Sequence, residues 1–322
     1  MKSLRWKITF YTLAIVSIFV IGIAFFIFRW NIFNPLKHAK LSIGGVERKF
    51  YFHVPRNLKP MPRLIFVLHG SAMTASQMQL VTGHWFDSLA DKNSDAIVVY
   101  PQGFKKYWND CRKSFSAETS KRDLDDVEFF ERMIEFFSKE YAVNLARLYV
   151  AGFSNGGHMT FRLSQERPDL FRGFAVISAN LPIDENNDCA NAKKPVSILL
   201  INGTADPVNP YLGGKVIVHD GIDRGHVIST QHTMRYYRNL THCRQFTEED
   251  FPDLEPSDHS SAKAFSYQCP GSSHKIKLIE IQNGGHNIPN PTFFLWPRNI
   301  VGNVNEDLNV PAIIFKFFEE LK

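Results

Sequence analysis

Arg147-Leu-Tyr-Val-Ala-Gly152-Phe-Ser-Asn-Gly-Gly157-His-Met-Thr-Phe-Arg-Leu-Ser-Gln165 decides how the rest of the chain is read. Arg147 to Ala151 reads as a short apolar strand and Gly157 to Gln165 as a helix, with Gly152-Phe-Ser-Asn-Gly156 between them. The pentapeptide alone is weak: with Gly and Ser each near ~7% of residues, G-x-S-x-G arises by chance in roughly one chain of this length in ten. Its context is what raises it. A nucleophilic serine sits on a tight strand-to-helix turn, with small neighbours that let the backbone make the turn and helix N-terminal N–H groups facing the reacting oxygen. Ser154 meets all three conditions.

Outward from this segment, short β-rich apolar runs recur as Leu64–Leu68, Ala96–Tyr100, Phe174–Ser178, Val196–Ile201 and Ile276–Ile281, each bounded by turn residues. Helix-length stretches lie between them at Val127–Tyr141, Gly156–Arg167 and Ile228–Leu240, and Val310–Leu321 ends the chain. Strands alternating with helices predict an α/β architecture, a mostly parallel sheet covered by helices on both faces. Ahead of it, Ala39–Ile43 and Arg48–Val54 flank Gly44-Gly45 and read as a β-hairpin. A hairpin leading into such a sheet is the eight-stranded order of the α/β-hydrolase fold. The polar stretch Glu248–Lys263, with two prolines, reads as a surface excursion.

Serine is a poor nucleophile at neutral pH, so Ser154 needs a base within hydrogen-bond reach and that base needs an acid to hold its tautomer. In this fold the chain order is Ser, then Asp or Glu, then His. After the run ending at Ile201 comes Asn202-Gly-Thr-Ala-Asp206, and after the last run comes Gln282-Asn-Gly-Gly-His286. Asp206 and His286 therefore stand on loops at the carboxyl ends of strands, where a triad assembles. Asp184 and Asp188 rival Asp206 from the preceding loop. His274 lies before the last strand rather than after it, His158 behind the serine, and His69 ahead of the Gly70 turn. Backbone N–H groups of Asn155, the residue after the serine, and of Ser71, in Leu68-His-Gly-Ser71, are the expected oxyanion donors.

The chain has 322 residues, is 44% hydrophobic and carries a net charge of +5 spread without any basic stripe, which argues against nucleic-acid binding. Ile8–Phe28 is a predominantly apolar run long enough, at ~1.5 Å per residue, to span a hydrocarbon core of ~30 Å. It reads as a signal anchor over residues 1–30, followed by a linker at 31–38 and a catalytic domain at 39–322; the alternative is a cleaved signal peptide. Arg29 and Trp30 suit an interfacial flank, and no small-x-small cleavage site ends the run. Cys111, Cys189, Cys243 and Cys269 form no C-x-x-C, which argues against zinc and thioredoxin-like readings. Of the three possible pairings, Cys243 with Cys269 closes a modest loop worth roughly 3 kcal/mol and leaves Cys111 with Cys189; four reduced, buried thiols are the alternative. Asp123, Asp125 and Asp126 precede a helix and read as caps rather than metal ligands.

From about Arg48 onward the chain resembles the exported polyhydroxybutyrate depolymerase and feruloyl esterase group of α/β-hydrolases. The resemblance rests on Leu68-His-Gly70, Tyr100-Pro-Gln-Gly103, Trp108-Asn109, Asp125-Asp-Val127, Gly152-Phe-Ser-Asn-Gly-Gly157, Gly203-Thr-Ala-Asp-Pro-Val208 with Pro210-Tyr-Leu-Gly-Gly214, and Gly284-Gly-His286. It implies a serine esterase using Ser154, Asp206 and His286, without metal or organic cofactor, on a small ester or oligoester. It implies export, so that the domain faces the periplasm or exterior, and it makes Trp85, Trp108, Asn109 and Tyr211 candidate substrate contacts. No protein partner is indicated beyond a membrane held by the N-terminal helix. Asn287-Ile-Pro-Asn290 replaces the Trp-Pro-Gly that typically follows the histidine in that group, which weakens the case for stacking a ferulate ring; Phe293-Phe-Leu-Trp296 is a nearby apolar substitute. No polymer-binding module follows, which favours soluble esters. A serine peptidase of the same fold, or a catalytically silent binding protein, are the competing readings.

Overall fold

The computed structural model describes residues 36–218, 220, 222–291 and 297–321. The apolar run at Ile8–Phe28, residues 31–35 of the 31–38 linker and Phe293–Trp296 lie outside them. Among the described residues no helix is long and apolar enough to cross a membrane.

The strands are β1 (Lys37–Ile43), β2 (Val46–His53), β3 (Arg63–Leu68), β4 (Ala96–Pro101), β5 (Leu148–Phe153), β6 (Gly173–Ile177), β7 (Ile198–Gly203), β8 (Gly214–Lys215), β9 (His226–Val227), β10 (Gln245–Asp250), β11 (Ser261–Gln268) and β12 (Ile276–Gln282). The longer helices are α1 (Ala75–Val81), α2 (Trp85–Asn93), α3 (Asp126–Tyr141), α4 (Asn155–Glu166), α5 (Thr230–Thr241) and α6 (Val310–Glu319). One sheet runs in the order β1-β2-β4-β3-β5-β6-β7-β12-β11-β10, and β8 pairs with β9 apart from it. From β4 through β12 its neighbours are parallel. Every residue of β3, β4, β5, β6 and β7 is buried, as strands covered on both faces must be.

The sheet has ten strands where the sequence suggests eight. The difference lies at the two ends of the Glu248–Lys263 stretch expected to be a surface excursion: Gln245–Asp250 and Ser261–Gln268 pair antiparallel with each other, and the latter pairs with β12. All six residues of β10 are exposed, so this edge strand lacks the apolar alternation that marks a half-buried strand. Backbone pairing to β11 makes it a strand, with Phe246 packed on Phe265 and Tyr267 and Lys263 paired to Glu248 across the two strands. The hairpin at the other edge begins at Lys37, inside the expected linker.

Helix α3 shows how the cover forms. Val127, Phe129, Phe130, Met133, Ile134 and Phe137 recur at helical spacing and are buried, and the Asp125 carboxylate caps the first turn by accepting from Glu128 N–H at 2.8 Å. The phenylalanines meet Phe50 and Phe52 of β2 edge-on, with Phe52 and Phe137 ring centres 5.0 Å apart and their planes at 90°. Cys111–Cys189 and Cys243–Cys269 are both disulfide-bonded, and such bonds persist in oxidising compartments. The second joins the end of α5 to the end of β11, locking the added edge onto the helical layer.

Asp126 does not act as a simple cap. It is fully buried; its Oδ1 accepts from Arg48 Nη2 at 2.5 Å and its Oδ2 from Asn109 N–H at 2.7 Å, with the Arg48 guanidinium also 4.3 Å from the centre of the Phe129 ring. Removing one partner of a buried ion pair leaves the other charge without compensation, at a cost of about 3–5 kcal/mol. Asp126→Ala is therefore expected to lower the urea midpoint by a corresponding amount with an unchanged m value. A midpoint shift under ~1 kcal/mol would show that Arg48 finds water instead.

Candidate active site

Strand β5 ends at Phe153 and α4 begins at Asn155, leaving Ser154 as the single residue of the turn. Its φ of +54° and ψ of −117° are costly for a residue with a Cβ. The strain is held from both sides: Ser154 N–H donates to Ile177 C=O at 2.9 Å, and Ser154 C=O accepts from His158 N–H at 2.9 Å. Two glycines make the turn sterically possible. A Cβ on Gly152 would lie 2.1 Å from Gly156 O, and one on Gly156 would lie 2.5 Å from Leu68 O and 2.6 Å from His69 O. All of these are backbone atoms, which cannot swing aside.

His286 stands on the loop after β12, and its Nε2 lies 2.9 Å from Ser154 Oγ. Its Nδ1 lies 2.7 Å from Asp206 Oδ2, on the loop after β7. The carboxylate accepts from Nδ1–H, so Nε2 keeps its lone pair toward the hydroxyl. Asp206 Oδ1 in turn accepts from the N–H groups of Val208 and Asn209, each at 2.8 Å. Asp206 and His286 are 8% and 7% exposed, whereas Ser154 opens partly to solvent. The arrangement can move a proton from a hydroxyl to an imidazole whose charged form a buried carboxylate stabilises. Neither Asp184 nor Asp188 is hydrogen-bonded to His286.

As the first residue of α4, Asn155 has an N–H without an intrahelical acceptor. Ser71 lies on the turn after β3, and its N–H has no acceptor among the described residues. The Asn155 side chain is clamped. Its Oδ1 accepts from Trp108 N–H at 2.9 Å, and its Nδ2 donates to Trp108 O at 3.2 Å and Asp110 Oδ2 at 2.6 Å. Asp110 is paired with the buried Arg112 at 2.6 Å, and Cys111 between them is held by its disulfide to Cys189. Asp110 and Arg112 escaped the sequence reading because nothing local to them points 45 residues ahead to Asn155.

His69 supports the same turn. Nδ1 donates to Gly70 O at 2.8 Å and Nε2 accepts from Gly103 N–H at 2.9 Å, which requires the neutral ring. Burial pushes its pKa down to about 4, with the nearby Arg48 charge adding to the effect and the Gly70 bond opposing it.

The candidate substrate contacts fare differently. Trp108 is fully buried: its indole N–H donates to His69 O at 2.9 Å and its ring packs on His69 and Phe130. It braces the turn from behind and presents no face to a substrate. Asn109 is likewise turned inward, donating to Leu124 O at 3.0 Å. Tyr211 donates to Glu280 of β12 and accepts from Gln231 at 3.1 Å, and it is 7% exposed. Trp108 is thus closed off by burial, whereas Asn109 and Tyr211, each 7% exposed, are held in place by internal bonds. Trp85, at the start of α2, is only partly buried, and its Nε1 has no partner among the described residues.

A family model described as "Putative esterase" matches residues 42–210. The chain belongs to this esterase family. "Putative esterase NocK" of Nocardia uniformis subsp. tsuyamanensis is 27% identical over 289 residues, 84% of this chain and 78% of that protein. Feruloyl esterase C of Emericella nidulans is 28% identical over 178 residues, 53% of this chain and 60% of that protein. The chain spans 31% of the bifunctional acetylxylan esterase/xylanase XynS20E of Neocallimastix patriciarum, at 25% identity. The acetyl xylan esterase from Aspergillus awamori shares the fold, with a TM-score of 0.53 at 13% identity over 79% of this chain and 95% of that one. The chain is thus an esterase-family carboxylic ester hydrolase of α/β-hydrolase-like fold, similar to feruloyl and acetylxylan esterases.

His69 gives this site a pH signature. The folded ring resists protonation until about pH 4, whereas the unfolded ring takes up a proton near pH 6.5. Between those values the unfolded state binds more protons, so the stability contributed by the buried neutral ring is full above pH 6.5 and is lost as pH falls toward 4, by about 3 kcal/mol in all. Urea unfolding of the wild type and His69→Gln at pH 7.5 and 4.5 should show a smaller acid loss in the variant. Equal losses would remove His69 as a source of the acid sensitivity.

Proposed function

We propose that the chain is a serine-dependent carboxylic ester hydrolase working through an acyl-enzyme, with Ser154 as nucleophile, His286 as general base and acid, and Asp206 as its orienting carboxylate. The observation that carries this reading is the position of His286, with Nε2 2.9 Å from Ser154 Oγ and Nδ1 2.7 Å from Asp206 Oδ2. In the first half-reaction Ser154 Oγ attacks the ester carbonyl carbon while His286 Nε2 takes the hydroxyl proton. The carbonyl oxygen becomes an oxyanion held by the Ser71 and Asn155 N–H groups. As the C–O bond to the alcohol breaks, His286 returns the proton to the leaving alkoxide. In the second half-reaction His286 deprotonates water for attack on the acyl-enzyme, and Ser154 leaves with that proton restored. Losing one oxyanion donor would remove about 3 kcal/mol of transition-state stabilisation.

For the substrate we propose small soluble esters or short hydroxyalkanoate oligomers. Support comes from the resemblance to polyhydroxybutyrate depolymerases and from Asn287-Ile-Pro-Asn290, where that group carries an aromatic wall. For location we propose an anchor at Ile8–Phe28 with the catalytic domain in the periplasm or outside the cell. The length and apolarity of the run and the two disulfides favour this.

The test is hydrolysis of p-nitrophenyl acetate and butyrate, methyl ferulate and a soluble 3-hydroxybutyrate oligomer by wild type, Ser154→Ala and Asp206→Asn. Turnover is expected to fall ~10³-fold or more in both variants, and a fluorophosphonate probe should label the wild type at Ser154 only. Absence of both turnover and labelling in folded wild type would replace the enzyme reading with that of a silent binding protein. Preference for methyl ferulate would reassign the substrate class.

A further inference from the structure

Two buried polar side chains lie behind the triad and touch none of the reacting atoms. His158, one turn along α4 from Ser154, is 2% exposed, and its Nε2 lies 2.9 Å from Nδ2 of Asn209, which is 4% exposed. Asn209 belongs to the loop that carries Asp206, and its backbone N–H is one of the two donors to Asp206 Oδ1, at 2.8 Å. The other carboxylate oxygen meets His286. A continuous path therefore runs from the helix that begins at Ser154, through the His158 and Asn209 side chains, to the backbone that orients Asp206.

The path is costly as packing. Burying an imidazole and an amide is unfavourable unless their polar atoms are paired. Here His158 Nδ1 and Asn209 Oδ1 have no partner among the described residues. An apolar pair would fill the same space without that cost. What a directional bond adds is a fixed register between two elements that share no backbone pairing, since α4 follows β5 and the acid loop follows β7. Burial and the charges of Arg112, His286 and Arg224 hold His158 well below the ordinary histidine range, so its Nε2 remains an acceptor for the amide.

We propose that His158 and Asn209 are positioning residues that set the Asp206 carboxylate relative to Ser154, so that His286 reaches both partners at once. His158 acts through Asn209, and the inference rests on the triad reading given above.

The test measures kcat and KM for p-nitrophenyl acetate, together with Tm, in the full chain carrying His158→Leu, His158→Gln, Asn209→Ala, the His158→Leu/Asn209→Ala double change, and Ser154→Ala. His158→Leu and Asn209→Ala are each expected to lower kcat about 10- to 100-fold with KM within about twofold, because a displaced base costs rate rather than binding. The double variant should lie within about threefold of the worse single variant, since both changes break one link. His158→Gln, whose amide oxygen can accept from Asn209, should recover to within about fivefold of wild type. Losses that multiply in the double variant, or wild-type kcat in folded His158→Leu, would overturn the link. Should His158→Leu not fold, Asn209→Ala decides, because it keeps the backbone donor to Asp206: wild-type kcat there also overturns it. Full turnover in Ser154→Ala would remove the triad reading and the link together, whereas its loss beside unaffected His158 and Asn209 variants would remove the link alone.

Discussion

The structure depends on one steric constraint, the approach of the Gly156 backbone to the carbonyls of Leu68 and His69 at the head of β3. Only a residue without a Cβ can sit there, since an added carbon would come within 2.5 Å of Leu68 O. That approach turns the chain from β5 into α4 in a single step and forces Ser154 to a φ of +54°. It also sets the Ser71 turn beside the N-terminus of α4, so the serine and both candidate oxyanion donors follow from one contact. The strain is tolerated because the central strands around it are wholly buried and parallel, a frame too tightly packed to relax.

Around this contact the protein arranges buried polar groups so that each holds a neighbour. Asn155 is gripped by Trp108 and Asp110, Asp110 by Arg112, and Asn109 by Asp126, which is itself paired with Arg48. His69 and His158 are kept neutral by burial, one bonding Gly103 and the other Asn209. In a low-dielectric interior such bonds are strong when satisfied and expensive when broken, which makes them suited to holding atoms in place. The disulfide between Cys111 and Cys189 ties this scaffold to the loop after β6.

Much of this was legible from local pattern. The elbow, the alternation of strands and helices, the loops bearing Asp206 and His286 and the Cys243–Cys269 pair could be read because each rests on nearby residues: spacing, turn chemistry or loop length; Cys111–Cys189, 78 residues apart, followed only as the remaining pair. β10 was not legible, since all of its residues are exposed and carry no apolar period. The internal bonds of Trp108 and Tyr211 were not legible because an aromatic residue near a motif looks the same in sequence whether it faces a ligand or a partner 39 or 69 positions away.

The sequence by itself therefore determined the class of fold and which side chains could serve as nucleophile, base and acid, because those depend on short-range turn geometry and on order along the chain. Tertiary structure alone decided that Asn155 is clamped through its side chain and that His158 reaches the acid loop across 51 residues. The physical reason is that a hydrogen bond between distant residues leaves no trace in local periodicity. It comes into being only when β5, β7 and β12 lie side by side and bring their carboxyl ends to one edge of the sheet.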